Sequence, residues 1–227
     1  MNPVHVRAIL FDFDGVLVDS EPIRFKAGAR ALEEIGEPLT WEGFMRYWLG
    51  RTDDAGLRDL LGDRFQAEGK RIAGRRNALY EERLDEVPAF DDSLRLIRRL
   101  PDEIRLAVAT GSRRMEVEHI LGHLGLSHHF HAIVTAEDYA HAKPAPDPFL
   151  AASRRLVVPP ASCLVLEDSA AGVAAAQAAG MPVVALDRGR GAVGLDRATW
   201  TVASLDALEL TSAGEVVVRT TRTSRAS

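Results

Sequence analysis

Cysteine is nearly absent. Cys163 is the single one in 227 residues, which excludes a disulfide framework and a thiolate zinc cluster. It lies inside an apolar run and reads as a small core residue. Lysine is scarce too: only Lys26, Lys70 and Lys143 stand among 28 basic residues. No apolar run approaches the length of a membrane span. The opening residues lack the basic segment, long apolar stretch and small-residue cleavage site of a secretion signal, so the expected location is cytoplasmic. A basic excess is missing as well. The net charge of −5 does not attract nucleic acid or an anionic membrane. What remains, 46% hydrophobic and 27% charged residues, is ordinary for a soluble globular chain. The length suits one α/β domain carrying a modest insertion, expected as a monomer.

The most informative stretch runs from Val6 to Ser20. Ala8 to Phe11 is an apolar run that reads as a buried strand, and it ends on two carboxylates, Asp12 and Asp14. Side chains alternate along a strand, so these two would repel on one face unless the chain turns or a cation sits between them. Gly15 supplies the turn. A hard cation such as Mg²⁺ takes oxygen ligands from one or two protein carboxylates and leaves room for a substrate phosphate. The bland alternative is a solvated acidic turn. A calcium loop fits less well, because the next alternate ligand position is Val16 and no helix precedes the motif.

Three further segments follow. Arg105–Ala109 is apolar and ends at Thr110, Gly111 and Ser112, short hydroxyls around a glycine. Lys143 sits in Ala-Lys-Pro-Ala-Pro-Asp, and Leu164–Leu166 is an apolar strand ending on Glu167 and Asp168. Between the first motif and the second, residues 19–88 show helical spacing and no strand pattern. Helices are expected over Glu21–Ile35 with Ser20 as cap, from Thr40 as cap to Trp48, over Asp53–Leu61 halted by Gly62, and over Phe65–Val87. From Asp91 onward helix and strand alternate, with strands at Ala132–Thr135, Cys163–Leu166, Val183–Leu186 and a short edge strand at Trp200–Val202. Such alternation predicts a parallel sheet covered on both faces, with ligands beyond the strands' carboxyl ends. Residues 211–227 lose periodicity and read as a flexible tail, its arginines notwithstanding. His119 and His123 stand one helical turn apart, but no Glu beside His119 completes a zinc-binding helix motif, so they are read as surface residues.

A D-x-D, a hydroxyl, a lysine and an acidic pair, in that order, resemble the haloacid-dehalogenase-like hydrolase superfamily. The branch they resemble is the phosphoglucomutase-like and sugar-phosphatase-like one with a helical cap, over about residues 6–210. The resemblance implies a Rossmann-like α/β core of residues 1–18 and 89–210, an inserted helical cap of residues 19–88, and Mg²⁺ as cofactor. By that likeness Asp12 is the nucleophile, and Asp14 protonates the leaving oxygen, later takes a proton from water and lends its main-chain carbonyl to the metal. Thr110, Gly111 and Ser112 donate to phosphoryl oxygens and Lys143 neutralises them. Asp168 completes the metal shell, with Glu167 a ligand or its neighbour. Arg24 and Arg51, with Arg46 and Asp53, are cap candidates for substrate binding.

The expected activity is phosphatase action on a small phosphorylated metabolite, a sugar or polyol phosphate, through an aspartyl-phosphate. The alternatives are a phosphomutase of the β-phosphoglucomutase type and a non-catalytic binding protein on the same fold. Mutases of that type carry a histidine where this chain has Arg24. Asp91-Asp92 also stands where relatives often have Pro-Gly, a departure that concerns the hinge.

Overall fold

Ala8, Ile9, Leu10 and Phe11 are all fully buried, which suits the central strand of a sheet covered on both faces. The computed structural model describes residues 4–48, 53–210 and 215–218. In chain order β1 (Val4–His5) and β2 (Ala8–Phe11) precede the helices α1 (Glu21–Glu33), α2 (Trp41–Trp48), α3 (Asp53–Leu61) and α4 (Phe65–Glu81). Then come α5 (Asp91–Arg99), β3 (Arg105–Ala109), α6 (Arg114–His123), β4 (Ala132–Val134) and α7 (Asp147–Leu156). The chain continues with β5 (Cys163–Glu167), α8 (Ala170–Ala178), β6 (Val183–Leu186), β7 (Trp200–Val202), β8 (Leu208–Leu210) and β9 (Glu215–Val218). Two compact units result, Met1–Val18 with Ala89–Ser227, and Asp19–Pro88.

The first unit is built on a six-stranded parallel sheet in the order β4-β3-β2-β5-β6-β7. The α/β class and the parallel core read from the sequence therefore hold. Alternation along β2 sends Ala8 and Leu10 to one face, where they join Ala107, Ala109, Val165 and Val183 beneath Phe149, Leu156 and Val173. Phe11 points the other way and meets the Phe130 ring edge-on at 5.8 Å. Each fully buried Leu, Ile or Phe of this core contributes on the order of 1.5–3 kcal/mol. Cys163 is buried in it, and burial pushes its thiol up to about 11, so it behaves as an unreactive small core residue.

Every regular element among the described residues of the second unit is a helix. Its core is the seam between α1 and α4, where Ile23, Ala27, Gly28, Ala31 and Leu32 face Ile72, Leu79 and Tyr80. Asp19 N donates to Pro88 O at 2.8 Å, joining the two ends of the insert.

Three local expectations need correction and one holds. Ser20 makes no side-chain cap bond at α1; its hydroxyl oxygen takes Arg24 Nε at 3.4 Å instead. Thr40 does cap α2, accepting from Gly43 N at 3.1 Å. The fourth helix ends at Glu81 rather than Val87, and a separate 3₁₀ turn spans Leu84–Glu86, turning the chain toward the extended Val87. Of the tail expected over 211–227, residues 215–218 form a strand and the rest lies outside the described residues. Glu215–Val218 pairs antiparallel with both β1 and β8, because its β-branched valines suit a ladder between two partners.

Candidate active site

Register brings the motifs together. Phe11 pairs with Val108 on β3 and with Leu166 on β5, so the next residues of all three strands emerge side by side at their carboxyl ends. Asp12 N donates to Leu166 O at 2.9 Å, and Thr110 N to Val134 O at 3.0 Å. Asp12, Asp14, Thr110, Gly111, Ser112, Glu167 and Asp168 thus gather at one end of the sheet, and Lys143, from the segment before α7, reaches the same place.

The lysine forms the centre of this network. Its Nζ donates to Asp12 Oδ1 at 2.8 Å and to Glu167 Oε1 at 2.6 Å, with its side chain 12% exposed. Burial pushes the Asp12 carboxyl up to about 7, with Lys143 pulling it down and Glu167 and Asp14 pushing it further up. Burial also works against the charge on Lys143, but the Asp12 and Glu167 carboxylates outweigh it and hold the ammonium above its ordinary range. The lysine therefore keeps its charge at neutral pH beside a carboxyl poised to change state.

Glu167 is fully buried and its other oxygen is committed. Oε2 accepts from Asp168 N and Ser169 N at 2.8 Å each and from Ser169 Oγ at 2.9 Å. Ser169 in turn caps α8, accepting from Gly172 N at 3.0 Å. A Cβ at Gly172 would lie 1.8 Å from Glu167 Oε1, so only glycine leaves room for this carboxylate. Asp12, Glu167 and Asp168 present carboxylate oxygens within 4.8 Å of one another, a hard-oxygen donor set of the kind Mg²⁺ takes. Gly15 shapes the same cradle. A Cβ there would fall 1.8 Å from Asp168 Oδ2, and the residue turns at a φ of +77°.

The Asp14 carboxylate lies outside that cluster: its Oδ2 accepts the hydroxyl of Ser112. Ser112 is thus engaged with a carboxylate. Thr110 Oγ1 accepts from Ser112 N at 3.0 Å, closing the turn, and Tyr139 donates its hydroxyl to Thr110 O at 3.0 Å. Gly111 is exposed. Arg24 belongs to the helical unit, where its guanidinium stands 4.1 Å over the Tyr80 ring. Arg51 lies outside the described residues. His119 and His123 are exposed on α6 and belong to no three-ligand group among the described residues.

Sequence reading missed three participants: Tyr139, Ser169 and the pairing of Ser112 with Asp14. Only Ser169 left a signal, a hydroxyl directly before an alanine-rich helix.

The chain belongs to the haloacid dehalogenase-like hydrolases, whose family pattern matches residues 6–180. Over 181 residues it is 33% identical to a phosphorylated carbohydrates phosphatase of Thermotoga maritima, covering 78% of this chain and 82% of the relative. Over 202 residues it is 32% identical to a beta-phosphoglucomutase of Bacillus subtilis, covering 84% of this chain and 88% of the relative. The crystal structure of a beta-phosphoglucomutase from Clostridium difficile shares the fold, with a TM-score of 0.74 at 24% identity over 90% of this chain and 93% of that one.

Proposed function

We propose that the protein is a Mg²⁺-dependent phosphatase of a small phosphorylated metabolite, a sugar or polyol phosphate, working through an aspartyl-phosphate. The observation that carries this is the buried Asp12 bridged by Lys143 to Glu167, with Asp168 alongside and Asp14 two residues on. Asp12 attacks phosphorus as its carboxylate, the P–O bond to the sugar breaks, and Asp14 hands its proton to the departing oxygen. Asp14 then takes a proton from the water that attacks the aspartyl-phosphate, which returns Asp12 and releases inorganic phosphate. Ser112, as hydrogen-bond donor to Asp14, orients that acid. Lys143 offsets charge on Asp12 and on the phosphoryl oxygens, while Thr110 and Gly111 offer polar groups to them.

The oxygen-only cluster and the space that Gly15 leaves for Asp168 fit Mg²⁺. Asp12 and Asp168 would hold it, with the main-chain carbonyl of Asp14. Glu167, already accepting four bonds, serves as an anchor for Lys143 and α8 rather than as a prime ligand. When bound, the ion would draw charge from the phosphoryl oxygens. Substrate selection falls to the helical unit of residues 19–88, acting as a cap, with Arg24 as its candidate reader of a remote carboxylate, hydroxyl or second phosphate.

The likeness to the Bacillus subtilis beta-phosphoglucomutase favours a second reading, phosphoryl transfer within a sugar phosphate. Arg24 argues against it, since a permanently charged guanidinium does not reproduce a titrating imidazole. A panel of phosphorylated sugars and polyols, assayed with Mg²⁺ for phosphate release and for isomerisation, separates the two. Release exceeding isomerisation supports the phosphatase, and the reverse supports the mutase. No turnover of any phosphate ester leaves a non-catalytic binding protein.

A further inference from the structure

Two consecutive carbonyls behind Asp14 point at a single side chain. Arg188, two residues after β6, donates from Nε to Gly15 O at 2.9 Å and from Nη2 to Val16 O at 3.2 Å. Ser93 Oγ reaches the same Val16 O at 2.7 Å. The far edge of the guanidinium grips Asp92, Nη1 to Oδ2 at 3.2 Å and Nη2 to Oδ1 at 3.1 Å. Asp92 also accepts from Leu205 N at 2.9 Å and from Ser204 Oγ and Ser93 N at 3.0 Å each. The Phe90 ring covers the guanidinium at 3.7 Å.

This pair is nearly dry, with side chains 14% and 6% exposed. A buried ion pair is weak evidence for stability, because desolvation offsets most of the attraction. What it does provide is fixed geometry. Arg supplies planar, divergent donors, and here they join two backbone carbonyls to one carboxylate. The same turn is also tied by Gly15 N to Val18 O, by Leu17 N and Val18 N to Phe13 O, by Phe90 N to Leu17 O and by the Ser93 hydroxyl. Asp14 sits immediately before the first clamped carbonyl.

We propose that Arg188, held by Asp92, is a positioning residue that fixes the Gly15–Val16 backbone and through it the Asp14 carboxylate. The inference rests on the reading of Asp14 as the acid–base group. A lysine at 188 would present a point charge, able to meet Asp92 or a carbonyl but not all three acceptors in one plane.

The test compares wild type, Arg188→Met and Arg188→Lys in Mg²⁺ buffer. It combines kinetics on an aryl phosphate and a sugar phosphate, thermal melting, and hydrogen exchange at the amides of Gly15, Leu17 and Val18. Both variants are expected to lose about tenfold or more in kcat with KM little changed, the pattern of an interaction needed only in the transition state. Their three turn amides should exchange faster while that of Val165 in β5 does not. Arg188→Lys keeps the charge and decides the matter if Arg188→Met does not fold. A folded variant with wild-type kcat, or with unchanged exchange in the turn, overturns the proposal. Failure of both variants to fold also overturns it, since the role is then structural. If wild type turns over no phosphate ester, the functional reading fails separately, and exchange alone decides whether Arg188 holds the turn.

Discussion

Lys143 Nζ lies 2.8 Å from Asp12 Oδ1, joining two residues 131 positions apart in the chain. Both side chains are 12% exposed. In so dry a setting the ammonium is the main counterweight to the cost of burying the Asp12 charge. Lys143→Met should therefore push the Asp12 carboxyl further up, leave less of the nucleophile ionised at neutral pH, and remove a donor from the phosphoryl group. A loss of about 100-fold or more in kcat is expected. Lys143→Arg should recover little, because a planar fork is a poor substitute for the compact point charge that meets both Asp12 and Glu167. Phosphate release by variants with unchanged circular dichroism checks both statements.

Gly15→Ala separates a backbone effect from a site effect. A left-handed φ costs an alanine roughly 1–2 kcal/mol, so melting should drop by several degrees. The added methyl also falls on Asp168 Oδ2 and would drive that carboxylate out of the acidic cluster. Activity should then fall by at least about tenfold even well below the melting point, with a raised Mg²⁺ requirement. Wild-type Mg²⁺ dependence in a folded Gly15→Ala variant would contradict the cradle described for Asp168.

Much of this site was legible because buried parallel strands leave plain apolar runs, each ending abruptly on polar residues. Ala8–Phe11 into Asp12 and Cys163–Leu166 into Glu167 show this directly. What was not legible depends on pairing distant in sequence. Ser20 has the residue type of a cap, yet its oxygen takes the Arg24 side chain. Val216 and Val217 look like part of a frayed end until β1 and β8 supply partners on both sides. Arg188 lies in a glycine-rich loop with no local pattern, and Asp92 showed only as a departure at the hinge. Neither betrays that the two meet.

Acid should weaken the first unit through Asp138. Burial opposes its charge, but the bond from Arg155 and those from Thr135 hold its carboxyl down at about 2. The folded state thus keeps the proton off where the unfolded chain would bind it. The resulting stability is complete above the ordinary carboxylate range and is lost as pH falls from about 4 toward 2. Asp138→Asn should cost about 1–2 kcal/mol at neutral pH, and the gap to wild type should close in acid. Urea melts at a series of pH values measure this; a gap that widens in acid would reverse the sign.

Arg24→Ala tests substrate selection. If Arg24 reads the remote part of a sugar phosphate, kcat/KM should fall more for that substrate than for a bulky aryl phosphate without a remote group. Equal losses on both would instead assign Arg24 to packing over Tyr80.

Metal removal should abolish turnover, Mg²⁺ should restore it, and Ca²⁺ should inhibit, because its longer and looser bonds misplace in-line attack. Full activity after exhaustive chelation would show that Asp12, Glu167 and Asp168 gather for another reason.

In the proposed reaction Asp12 itself becomes phosphorylated. Acid-quenching the enzyme during turnover of its best substrate, followed by peptide mass spectrometry, tests it most directly. One phosphoryl group is expected on the peptide carrying Asp12, absent from Asp12→Asn, which should be folded and inactive in a freshly purified, deamidation-checked sample. A turning-over enzyme whose Asp12 peptide stays unmodified, with Asp12→Asn still releasing phosphate, would contradict the account.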